Sequence, residues 1–146
     1  MTDFGTKYFQ KFKFEQKQIE RYLQSAFHDL EIAKKDQFPE VRFTYSYQAL
    51  VKVGIALIAK VGQVRVRSAP GHHIKILEKM SEILKNQDVL TIGNAMRTKR
   101  NYDFYGGGDS ISGKEANDYL KFVEGIILAV RKVIQRTASK EELRNI

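Results

Sequence analysis

A chain of 146 residues is long enough to bury one continuous core without disulfide or metal staples. Its 42% hydrophobic and 29% charged content is ordinary for a globular domain, and the absence of cysteine excludes disulfides, thiolate metal sites, cysteine proteases and thiol-redox enzymes. Twenty-five cations against seventeen anions leave a formal charge of +8, a field that attracts phosphate-bearing partners without specifying one.

The N-terminus, "MTDFGTKYFQKFKFEQKQ", is charged and aromatic and lacks the apolar stretch of a signal peptide, so a cytoplasmic location is expected. The 3.6-residue period then recurs through most of the chain. A first helix is predicted from about Phe14 to Lys35, with Ile19, Tyr22, Leu23, Ala26, Phe27, Leu30 and Ala33 on one stripe. A second follows "QFPE", from about Pro39 to Val61, with Phe43, Tyr47, Leu50, Gly54, Leu57, Ile58 and Val61 as its apolar positions. Its run "LVKVGIALIAKV" is interrupted by two lysines and is too short to span a bilayer, so no membrane partner is expected.

"GQVRVRSAPG" (Gly62 to Gly71) reads as a connector, because the four alternating residues "VRVR" are flanked by breakers. A third helix, about Pro70 to Lys85, turns His73, Ile76, Leu77, Met80, Ile83 and Leu84 inward. Asp88 is a candidate cap for a fourth helix running into "MRTKRNYDFYGGG" (Met96 to Gly108). After the glycines, "SGKE" (Ser112 to Glu115) is a capping-box pattern, in which the serine hydroxyl and the glutamate carboxylate each accept from the other's amide. The last helix extends to about Arg136 along Ala116, Tyr119, Leu120, Val123, Ile126, Ile127, Val130 and Ile134, and the polar tail 137–146 is expected to fray. Short loops make sequential helices antiparallel neighbours, so the fold class is all-α, an up-and-down bundle of four to five helices.

Metal and triad chemistry find little support. His72 and His73 are adjacent and diverge on a helix, His28 stands apart, and no zincin spacing or nucleophile elbow occurs. The triple glycine lacks the lysine of a phosphate-binding P-loop. No metal and no cofactor is therefore expected. His72 and His73 open the third helix, either as boundary histidines or as side chains facing a ligand groove.

The basic motif is more informative. Arg97 and Arg100 are three apart, and Arg97 and Asn101 four apart, so all three share one helical face, with Lys99 beside them. Arg100 also continues the stripe Ile92, Met96, Arg100, so it must meet an anionic or carbonyl partner or face a groove that holds a ligand. Aromatic rings beside the guanidinium groups would allow base stacking as well as phosphate contacts. Alternatively, the arginines snorkel at a helix end and complement its dipole.

Over about residues 14 to 136 the order of features resembles the HEPN family of small helical bundles. The features are the tyrosine-rich helix "FTYSYQALVKVGIALIAKVG", a basic loop, "GHHIKILEKM", "MRTKRNYDFY" and a final amphipathic helix. Arg100 and Asn101 are similar to the start of the family's signature, an arginine and polar residue followed by a histidine four to six residues beyond the arginine. The resemblance implies a bundle that dimerises around a shared cleft. It also implies a metal-independent endoribonuclease, commonly a toxin paired with a nucleotidyltransferase, with the arginine on the phosphate and the histidine as acid and base. Here Phe104, Tyr105 and Gly106 fill the histidine's window, and Tyr105, with an ordinary pKa near 10, makes a poor base at neutral pH.

These readings give one HEPN-like domain over residues 1–146, with a core of about 14–136. The expected partners are RNA or a nucleotide, a nucleotidyltransferase protein and a second copy of the chain. Arg100, Asn101 and Tyr105 are the candidate catalytic residues, and Arg97, Lys99, His72 and His73 the candidate ligand-binding ones. A catalytically inactive interaction or dimerisation module is the alternative.

Overall fold

The computed structural model describes residues 4–105 and 111–144, with the backbone alone described at 102–105 and 142. Five helices carry the fold: α1 (Gln16–Lys35), α2 (Pro39–Gly62), α3 (His72–Leu84), α4 (Gln87–Tyr105) and α5 (Gly113–Arg144). Two three-residue strands accompany them, β1 (Phe9–Lys11) and β2 (Val64–Val66). The mostly helical class is as the sequence predicts. No helix among the described residues is long and apolar enough to cross a membrane.

The strands correct the reading of "VRVR" as a connector. β2 pairs antiparallel with β1 in the register Phe9↔Val66, Gln10↔Arg65, Lys11↔Val64. The hydrophobic alternation is real: Val64 is buried and Arg65 exposed. Its partner strand comes from near the N-terminus, and the buried Phe9 ring gives the pair an apolar face to hold.

α2 is the central helix and packs against each of the other four. Pro39 supplies a preset first turn, and Tyr47, Leu50, Leu57 and Ile58 are fully enclosed. Burial of each such side chain stabilises the fold by about 1.5–3 kcal/mol before entropy is counted. Val61, placed on the apolar stripe by periodicity, is exposed instead. α3 reaches the core because two glycines let it approach closely. A methyl at Gly54 of α2 would lie 2.5 Å from Met80 Sδ and 2.7 Å from an Ile76 methyl, and one at Gly93 of α4 would lie 2.7 Å from Leu77 Cδ2.

Several helix ends differ from the sequence reading. α3 begins at His72 rather than Pro70, since Gly71 takes a left-handed φ of 82° that a helix cannot continue through. Asn86, not Asp88, caps α4: its side-chain oxygen accepts from the Asp88 amide at 3.0 Å, leaving Asp88 in the first turn. At α5, Ser112 Oγ accepts from the Glu115 amide at 3.1 Å as expected. The Glu115 carboxylate instead meets the Ser112 hydroxyl at 3.4 Å and the Lys99 ammonium at 3.6 Å, because an opposite charge is within reach.

The tail expected to fray is helical as far as Arg144. Its anchor is the Lys60 Nζ–Glu141 Oε2 pair at 2.7 Å, with the Lys60 side chain only 8% exposed. The glycines 106–108 lie outside the described residues.

Candidate functional site

Where α3 begins beside the second half of α4, the surface opens into a groove of about 440 Å³. Its walls are His72 and His73 from α3 and Arg97, Arg100 and Asn101 from α4, with the 68–71 loop closing one side. The helical arithmetic behind the α4 wall is simple: residues three and four apart share a face, and Arg97, Arg100 and Asn101 follow directly on the buried Met96.

Tyr47 lies beneath. It projects from the middle of α2, is 1% exposed, and gives its ring to the Arg100 guanidinium, whose central carbon sits 5.6 Å from the ring centroid. Its hydroxyl lies 2.9 Å from His73 Nδ1. Arg100 is therefore oriented over an aromatic ring, and His73 is tied to the core by the same tyrosine. Arg97 is steadied differently, donating from Nε to Asn94 Oδ1 at 2.9 Å.

The titration behaviour follows from this enclosure. Burial pushes the Tyr47 phenol up to about 12, opposed in part by the positive charges of Arg100 and Arg97. Burial also lowers His73 from 6.5 to about 4, and His72, Arg100 and Arg97 add to the lowering because a second cation among them is disfavoured. Both groups are neutral at neutral pH, so the groove's permanent positive charge rests on the arginines.

His72 has a defined tautomer. Its Nδ1 lies 2.8 Å from the Ala69 carbonyl oxygen, which can only accept, so Nδ1 carries the proton. In the neutral ring Nε2 then holds the lone pair, the arrangement that lets an imidazole accept a proton. The two imidazoles meet edge to face at 4.4 Å between centroids. Gly71, the N-cap of α3, adds no side chain over the first turn. The first-turn amides and the positive end of the helix dipole thus adjoin the histidines.

Five of the seven residues singled out from the sequence converge here: Arg97, Arg100, Asn101, His72 and His73. Lys99 does not line the groove; it turns toward α5 and pairs with Glu115. The side chain of Tyr105, last residue of α4, lies outside the described residues. Sequence reasoning missed Tyr47 as part of the site. The cue was its place in the tyrosine-rich start of α2, but periodicity assigned it to the core, and it is in fact both core and groove floor. Comparison of the chain with family models, with curated proteins and with solved structures finds no match.

Proposed function

We propose that this groove binds a phosphate group of RNA or of a nucleotide. The observation that carries the reading is the convergence of two arginines, an asparagine and two histidines on one open groove, with Arg100 stacked on a buried ring. Guanidinium groups held in place suit phosphate oxygens, which accept two parallel hydrogen bonds from them. Neutral His73 and the Asn101 amide add donors without adding charge.

A second step is supported by the fixed tautomer of His72. Cleavage of RNA through its own 2′-hydroxyl requires a proton acceptor beside that hydroxyl and stabilisation of the charge that builds on phosphorus. In this reading His72 Nε2 takes the proton, Arg100 holds the phosphate, and Asn101 orients it. The O2′–P bond forms as the P–O5′ bond breaks, and solvent protonates the leaving oxygen. The resemblance to HEPN bundles supports the same class, a metal-independent cytoplasmic endoribonuclease working as a dimer, with a nucleotidyltransferase as partner in a toxin pair. An inactive HEPN interaction module would keep the binding and lack the cleavage.

Salt-dependent retention of a labelled single-stranded RNA tests the reading. Wild-type retention weakens as salt rises, and Arg97→Ala with Arg100→Ala reduces the slope of log K against log salt by about 1.4, from two single-strand phosphate contacts at 0.7 each. Unchanged retention and slope in the double variant would remove the groove from consideration.

A further inference from the structure

A second cleft, of about 390 Å³, lies at the C-terminal end of α2. It is about 18 Å along that helix from the Tyr47 level, at 1.5 Å per residue. Lys13, Lys60 and Arg144 line it, together with Glu141, Phe14 and Gln63. Lys60 is the unusual member. A lysine is seldom withdrawn from water unless its charge is paired, and here the Lys60–Glu141 contact supplies the pair. Lys13 and Arg144 then add two further cations, with no second carboxylate in the lining among the described residues.

We propose that this cleft is a binding site for a free nucleoside 5′-monophosphate, distinct from the groove at α3 and α4. The charge selects the phosphate: three cations against one carboxylate match a phosphate monoester, which carries about −1.5 to −2 at neutral pH. A monocarboxylate would leave that field half compensated. The rest of the lining selects the body of the ligand, since Phe14 offers an aromatic surface for a base and the Gln63 carboxamide can both donate to and accept from a base edge. The volume falls in the range of small-molecule clefts and suits one nucleotide rather than a strand. Glu141 is the internal anion on Lys60, so phosphate and Glu141 compete for the same ammonium.

Isothermal titration of the full chain with adenosine 5′-monophosphate, adenosine and inorganic phosphate tests this. In the Arg97→Ala, Arg100→Ala variant, where the groove no longer contributes, the nucleotide should still bind one to one and about tenfold tighter than either fragment, because charge-assisted bonds and base contact act together. Lys13→Gln with Arg144→Gln, both at exposed positions, should weaken it about tenfold or more. Glu141→Gln should tighten it, whereas a merely structural Lys60–Glu141 pair gives no gain. No heat from the nucleotide, binding that survives the Lys13 and Arg144 substitutions, or loss in the groove variant would each overturn the proposal. The last of these leaves the phosphate-binding reading of the groove standing.

Discussion

Lowering the pH tests the electrostatics of the groove through His73. Folding holds this imidazole at about 4, against 6.5 when unfolded, chiefly by burial and then by His72, Arg100 and Arg97 around it. The unfolded chain therefore binds the extra proton first. Stability is fully present above 6.5 and is lost as pH falls from 6.5 toward 4. At face value the loss between pH 7 and pH 4.5 is about 2.4 kcal/mol. The ring is only half-buried, and halving the figure for solvent screening leaves about 1 kcal/mol.

The perturbation is His73→Gln, which keeps a polar group beside the Tyr47 hydroxyl and removes the titration. Urea unfolding of both proteins at pH 7 and pH 4.5 gives the measurement. Carboxylates elsewhere titrate alike in the two, so they cancel in the difference. The wild type should lose about 1 kcal/mol more than the variant between the two pH values. An equal loss, within about 0.3 kcal/mol, would refute the account of His73 as a histidine held neutral by burial and neighbouring cations.

Other predictions address the chemistry and the packing. His72→Asn retains a donor for the Ala69 carbonyl but has no Nε2, so RNA cleavage measured on gels should fall about 100-fold or more while RNA retention persists. Cleavage at the wild-type rate would exclude His72 as the proton acceptor. Gly93→Ala puts a methyl 2.7 Å from Leu77 Cδ2 and should lower thermal stability by about 1–3 kcal/mol, despite alanine's better helix propensity. Lys52→Ala strands the buried Asp29 carboxylate, whose Oδ2 lies 2.7 Å from the Lys52 ammonium. A loss of about 2–3 kcal/mol in urea unfolding is expected, toward the low end for a broken buried pair because Lys52 is partly exposed.

The helices were legible because each carries its apolar residues at helical spacing, and that periodicity is a property of a short window. What escaped the window needed a distant partner. Val64–Val66 is a strand only because Phe9–Lys11 lies beside it, and residues 137–144 are helical with Glu141 seated on Lys60, a lysine that looked merely like an interruption in an apolar run. The site divides in the same way. Arg97, Arg100 and Asn101 could be grouped from spacing alone, and their meeting with His72 and His73 is a tertiary event that spacing does not encode. Lys99 could have been set apart sooner: two positions from Arg97 is about 200° round a helix, which turns it away from that face.

Gly54 and Gly93 have a consequence for the groove as well as for the core. The helix bearing the histidines is held against its neighbours at backbone distance, and the first of those contacts, Ile76 against Gly54, is one turn from His72. The span between the imidazoles and the guanidinium groups is thus fixed by how closely helices meet beneath it. A single added carbon below the site would tilt the helix and reset that span without altering any residue of the groove.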